Sequence, residues 1–298
     1  MWSAIAATGI WAVSSFASAR GARHLGGISA NLVRITLALP PLLLGALLLG
    51  FTPWHTARGA GAGWFLLSGV VGMGLCDILA LHAYARLGAR IPSLVINVAA
   101  PVTATISGWL WLSEGLGGRA AIALAAILTG VVLVLRPRQA QPVDRAGLLY
   151  SVASGAAFAA ATVMSRSGYR VAEAAGTPIH WLDATILRLA TGLLFTLAAF
   201  ILMGGAGQRA YRDGPGLWRQ ALPWLALNAL LGPSLGMLFF QHALISNPAH
   251  AVHAVVAAIP VLVMLIAWGF GHERPDRAAL GGTLLSVLGV IILVSGPH

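Results

Sequence analysis

Lysine is absent from this 298-residue chain, cysteine occurs once, and only eight residues are acidic. Each shortage excludes something. Without lysine there can be no Gly-x-x-x-x-Gly-Lys-Ser/Thr phosphate loop, so nothing here is driven by a nucleotide held in that way. The single Cys76 lies in an apolar run and can form no internal disulfide, which removes the small stapled scaffolds. Charged side chains make up 9% of the chain, against about a quarter in soluble domains. What replaces them is a hydrophobic fraction of 58% and a mean hydropathy of +0.84. Too little polar surface exists to cover a soluble core of this size. All 18 basic residues are arginine and the net charge is +10. They fall between apolar segments instead of forming a stripe with interleaved aromatics, so they read as loop charge and not as a nucleic-acid footprint.

A helix crossing a bilayer needs roughly 20 mainly apolar residues. Ten such stretches are present, near residues 2–19, 28–51, 63–85, 92–113, 119–135, 146–165, 181–204, 218–246, 249–270 and 278–294. The separators are short and rich in Arg, Gly and Pro, and none can hold a soluble domain. No basic region precedes the first stretch, so it is expected to be a membrane helix and not a cleaved signal. Residues 121–135 are continuously apolar apart from Thr129 and Gly130, which does not fit the alternation of a barrel strand. The fold class expected is an all-α polytopic membrane protein with ten transmembrane helices.

The chain repeats itself. Residues 101–135 realign with 260–294 at a constant offset of 159, which superimposes Pro101 on Pro260, Trp109 on Trp268, Glu114 on Glu273 and Gly130 on Gly289. An offset of 160 aligns Trp64 with Trp224, Gly72 with Gly232 and His82 with His242. Further upstream Arg34 falls opposite Arg188, and Arg20 opposite Arg166. The two units expected are residues 1–137 and 145–297. Five spans in each, an odd number, would send the second unit into the membrane from the opposite side, giving inverted repeats. Such halves can exchange conformations about an axis in the membrane plane and open a central cavity to either side in turn.

These features together resemble the EamA-like members of the drug/metabolite transporter superfamily. The likeness is carried by the five-plus-five duplication and, twice over, by a proline in the fourth helix, a glutamate at its end and a glycine in the fifth: Pro101, Glu114 and Gly130, then Pro260, Glu273 and Gly289. Arg34 and Arg188, early in each second helix, also match the family pattern, whereas Arg20 and Arg166 stand where lysine is more usual. The resemblance implies a secondary carrier, commonly an exporter of amino acids, related metabolites or xenobiotics, with no cofactor.

An ionisable group near the bilayer centre demands a partner or an aqueous cavity, which makes Asp77 the leading candidate. Tyr84, seven residues on, returns to the same helix face. Asp77 either handles substrate or protons as a charge, or sits neutral and hydrogen-bonded to a neighbouring helix. Met237 occupies its place in the second half, so any such site is asymmetric. His82, His242, Gln241, Asn97, Asn228 and His253 are further candidates for contact with a small molecule, with interhelical hydrogen bonding as the alternative. His250 and His253 share a helix face but lack the nearby Cys or acid that a metal site needs, and no metal is expected. Glu114 and Glu273 are expected at helix ends, pairing with Arg119 and with Arg274 or Arg277. Arg34 and Arg188 are expected to snorkel to lipid phosphates, with an anion-attracting vestibule as the second reading. Residues 232–236 match Gly-x-Ser-x-Gly but lack a strand-turn-helix setting, so they read as a packed, kinked helix and not a nucleophile elbow.

The expected partners are a small-molecule substrate, the lipid bilayer of the cell membrane and protons as coupling ion, with no nucleic acid and a monomer or weak homo-oligomer as the working form. The cavity is expected among the third, fourth, eighth and ninth helices. An intramembrane enzyme and a non-transporting scaffold are the competing classes. Orientation has two opposed expectations. Loops after odd-numbered spans hold twelve arginines against four in the others, which places both termini outside, whereas the family resemblance places both in the cytoplasm.

Overall fold

Glycine and proline decide where the helices of this chain begin, widen and break. The computed structural model describes residues 1–51, 56–112, 117–135, 144–203, 215–269 and 277–294, and every regular element among them is helical. Helix α1 (Trp2–Leu25) meets α2 (Gly27–Leu48) across Gly26 alone, whose φ of 75° is open to a residue without Cβ. Helix α3 (Ala62–Leu87) ends at Gly88, φ 73°, and is followed by α4 (Arg90–Leu112) and α5 (Gly118–Leu135). The second half holds α6 (Arg145–Ala174) and α7 (Trp181–Leu202). Helix α8 is continuous through Pro215–Ala229, Leu230–Gly236 and Met237–Ser246. Helix α9 is broken into Ala249–Val256 and Ile259–Gly269 just before Pro260, and α10 is Arg277–Val294.

Seven of these rods are long and apolar enough to cross a membrane, while α5 and α10 are apolar but shorter. Helix α1 is diluted by Ser14, Ser15, Ser18 and Arg20, because it runs through the middle of the bundle and turns small polar residues inward. The outer surface is apolar instead, with Leu44, Leu48, Ile122, Leu194, Leu202 and Leu284 all exposed. Helix α6 runs to Ala174, well past the expected end at residue 165. Its last turns pack on α3, with Gly168 against the Phe65 ring, so polar residues there continue a helix and do not begin a loop.

Two features repeat across the halves. Residues Gly69–Cys76 of α3 and Leu230–Gly236 of α8 both widen into π-helical turns, at positions that the offset of 160 superimposes. In α8 the cause is Pro233, which has no N–H to donate back to the Ala229 carbonyl. The Ser234 hydroxyl takes over at 2.8 Å. The second feature is the crossing of α5 and α10. Gly130 packs against Gly282 and Ser286, and Gly289 packs against Ala123 and Ile127. At the offset of 159, Ala123 corresponds to Gly282 and Ile127 to Ser286, so the contact is reciprocal, as at an interface between two-fold mates. Elsewhere the halves interleave: α2 packs on α7 and α8, while α7 packs on α3.

At the start of α6, Asp144 accepts from the Ala146 amide at 3.0 Å and from Arg86 at 2.9 Å. The Arg86 guanidinium beside it holds the Asp144 carboxyl below the usual carboxylate range. With the native value lowered, this contribution to stability is present above the unfolded carboxylate range and is lost as pH falls through the native value. Melting temperature measured from pH 6 down to pH 3 should therefore fall less steeply in Asp144→Asn than in the parent. Parallel curves would dismiss the contribution.

Candidate functional site

Arg34 lies two turns into α2, on the face that also carries the buried Asn31, Ile35 and Ala38. A guanidinium in that position must be satisfied by protein, since neither lipid nor bulk water reaches it. Its Nε donates to Asn31 Oδ1 at 2.8 Å, Nη1 donates to Asn228 Oδ1 at 3.2 Å, and Nη2 forms an ion pair with the Asp77 carboxylate. The two amides are themselves tied down. Asn228 Nδ2 donates to Ser14 Oγ at 2.7 Å and to Ser18 Oγ at 2.6 Å, and Asn31 Nδ2 donates to the Met73 carbonyl and Thr196 Oγ1, each at 2.9 Å. One arginine thus links α1, α2, α3, α7 and α8.

This network borders a central cavity of about 120 Å³. On a scale where one water needs about 10–15 Å³, it has room for a small molecule and not for a peptide. Its lining comes from eight helices, α1, α2, α3, α4, α6, α7, α8 and α9, and not only from the four expected. Helices α1 and α6 enter because they carry small residues, Ser14, Ser15, Ser18 and Ser154, which leave space where larger side chains would fill it. Both π turns open onto the cavity through Gly72 and Gly232. A Cβ at Gly72 would stand 2.7 Å from Arg188 Nη2, and one at Gly232 would stand 3.0 Å from Ser14 Oγ and 3.7 Å from Arg34 Nη1. Each half therefore sets the glycine of its third helix beside the second-helix arginine of the other half. Trp11 closes one wall, donating from Nε1 to the Gly232 carbonyl at 3.0 Å and meeting Phe158 edge-on at 5.7 Å.

The candidates from sequence divide into three groups. Asp77, Tyr84 and Asn97 line the cavity; the Tyr84 hydroxyl lies 3.4 Å from Ser93 Oγ, and Asn97 Nδ2 donates to the Ser93 carbonyl at 2.7 Å. Asn228 stands one layer behind Arg34. The remainder point elsewhere. His82 Nδ1 meets its own helix at the Ile78 carbonyl, His242 Nδ1 meets Ser3 Oγ, and Gln241 accepts from the Tyr169 hydroxyl at 3.2 Å. His253 lies behind Phe158, with Nε2 2.9 Å from Thr162 Oγ1.

Arg34 and Arg188 depart from the expected snorkelling. Both turn inward, at 7% and 0% exposure, because each sits on the small-residue face of its helix and not on the leucine-rich outer face. Pro101 and Pro260 are buried, and Trp109 and Trp268 are exposed on the outside of the bundle. Glu114 and Glu273 lie outside the described residues. Arg119, the expected partner of Glu114, donates to the Ile292 carbonyl at 2.9 Å.

Sequence reasoning missed Asn31, Trp11, Ser14 and Ser18. The signal was there in their spacing: Trp11, Ser14, Ser15 and Ser18 fall on one helical face, and Asn31 sits three residues before Arg34.

The profile of EamA-like transporters matches residues 1–136 and, a second time, residues 145–295. The chain belongs to the EamA-like transporter family. It is accordingly a membrane transporter of the drug/metabolite type and an integral, multi-pass protein. Among solved structures, 29 chains match this EamA-like protein. One crystal structure has a TM-score of 0.69 over 98% of this chain and 93% of its own, at 19% identity, which establishes likeness of fold alone. No match was found among curated proteins.

Proposed function

We propose that all ten rods cross the cell membrane as two inverted five-helix repeats, and that the protein is a secondary transporter exporting small metabolites such as amino acids, or xenobiotics, by alternating access. The observation that carries this reading is the cavity at the junction of the two halves, where each half presents its π-turn glycine to the other's buried arginine. Irregular backbone at membrane depth is tolerated where it lines a cavity, and it frees backbone groups to meet a ligand. Rocking one half against the other would move both glycine–arginine contacts together, so opening on one side closes the other. Protons are the proposed coupling ion, with Asp77 as the group that would take them up once its pair with Arg34 loosens.

Substrate flux into proteoliposomes tests this. Ala80→Trp places an indole in the cavity from α3, so it should cut flux roughly tenfold or more, with the melting temperature measured alongside to separate a filled cavity from a damaged fold. A bound compound that is chemically altered without crossing the membrane would replace the carrier reading with an intramembrane enzyme. Neither flux nor ligand-induced stabilisation across amino acids, nucleotides and cationic drugs would leave a scaffold. Reporter fusions at the C-terminus decide between the arginine distribution and the cytoplasmic termini implied by the family.

A further inference from the structure

The two halves place an arginine at the same point and then treat the two cations differently. Arg34 and Arg188 correspond at an offset of 154, and at that offset Asn31 falls opposite Thr185. At the offset of 160 that joins the third helices, Asp77 falls opposite Met237, and Asn228 opposite Ser68. None of the three counterparts therefore gives Arg188 the oxygen acceptor that its mate gives Arg34. Thr185 uses its hydroxyl on the Trp181 carbonyl at 2.8 Å. Ser68 donates to the Ala161 carbonyl at 2.6 Å and lies 2.8 Å from Ser165 Oγ. Met237 offers only its thioether, with Sδ 3.3 Å from Arg188 Nη1. Among the described residues no carboxylate lies within ion-pair distance of Arg188, and its buried Nε has no hydrogen-bond partner.

A guanidinium does not escape this situation by losing its proton, and a buried one demands an anion. Among the described residues none pairs with Arg188, and the nearby Asp77 is already paired with Arg34. Arg188 stands in the cavity wall beside Gly72 with Met237 against it, and methionine is the apolar side chain that most readily swings aside without moving backbone. The fixed charges at the cavity are Arg34, Asp77 and Arg188, a net single positive charge. One carboxylate balances it, whereas a dianion overshoots. The remaining wall near it, including Trp11, Phe158, Ile96 and Ile259, suits an apolar body.

We propose that Arg188 is an anion subsite, taking the carboxylate of a small monoanionic substrate with an apolar body as the Met237 side chain yields its place. This deepens the carrier reading and rests on it for the substrate's fate, but binding is measurable without transport.

The test is ligand binding to purified protein, by thermal shift and titration calorimetry at constant ionic strength, with benzoate, benzamide, benzylammonium and phenyl phosphate as matched probes. Benzoate should raise the melting temperature in a saturable way, benzamide and benzylammonium should not, and phenyl phosphate should bind more weakly than benzoate. Met237→Asp supplies Arg188 with the acid that Asp77 supplies to Arg34. It should keep or raise the ligand-free melting temperature and weaken benzoate binding by roughly tenfold or more. Arg188→Gln should do the same to binding, and Met237→Leu should preserve it. If Arg188→Gln does not fold, Met237→Asp decides alone. The proposal is overturned if benzoate does not bind, if benzamide binds equally well, if phenyl phosphate binds more tightly, or if Met237→Asp binds benzoate like the parent. Benzoate binding without benzoate flux into proteoliposomes would remove the carrier and leave the subsite. Equal flux of benzoate and benzamide without selective binding would remove the subsite and leave the carrier.

Discussion

Asp77→Leu should destabilise the protein by about 3–5 kcal/mol, and adding Arg34→Met in the same chain should return part of that loss. The single substitution strands a guanidinium that has 8% of its side chain exposed, with two amide oxygens left to hold it. The double substitution removes the charge altogether and replaces the pair with apolar groups of similar reach. Recovery should fall short of complete, because Asn31 Oδ1 and Asn228 Oδ1 then lose their donor, at about 1–3 kcal/mol for each one left unsatisfied. The effect of Asp77→Leu should lie toward the lower end of its range, since 20% of the Asp77 side chain is exposed. Equilibrium unfolding in mixed micelles measures all three variants. A double variant no more stable than Asp77→Leu would mean that the pair is not what holds Arg34 in place.

The second large effect is expected where α5 crosses α10. Gly289→Val and Gly130→Val should each cost about 1–3 kcal/mol, and by similar amounts. At Gly289 a Cβ would stand 2.8 Å from the Ala123 carbonyl oxygen and 3.1 Å from the Ile127 nitrogen; at Gly130 it would stand 2.7 Å from the Ser286 nitrogen. These are backbone atoms, which cannot rotate away as a side chain can. Gly45, with nothing within 4 Å of its Cβ position, is the control, and Gly45→Val should be tolerated. The same micelle unfolding experiment applies. Equal losses at Gly45 and Gly289 would trace the cost to helix propensity and dismiss the crossing.

Both effects involve residues visible in the sequence, but to different degrees. The duplication exposed Gly130 and Gly289 directly, because a repeated residue in a repeated context needs no structure to be noticed. Arg34 was noticed for the same reason and then assigned the wrong direction. Distance from a helix end is the same for a side chain that reaches outward to phosphate as for one that turns into the bundle, so depth alone does not fix direction. The helix face carries the missing information. Along α2, Asn31, Arg34, Ala38 and Leu42 form the buried stripe, whereas Leu37, Leu44 and Leu48 are exposed. In a bilayer the small and polar stripe is the interior one, the reverse of a soluble helix. Read in that way, α1 also declares its central place through Ser14, Ser15 and Ser18. The separate fates of His82, His242 and Gln241 were not legible, because each is decided by a neighbour distant in sequence or by the local helix turn.

The reciprocal crossing at Gly130 and Gly289 is what two identical five-helix units would make with each other if they met in opposite orientations. Such a pair of separate, identical chains would face a restriction that this protein does not. Any residue would be present twice, so an acid at the place of Asp77 would neutralise both arginines, and a methionine there would neutralise neither. Joining the units in one polypeptide lets a single chain hold one quenched cation and one unquenched cation across the same cavity, using only the freedom of two copies to differ.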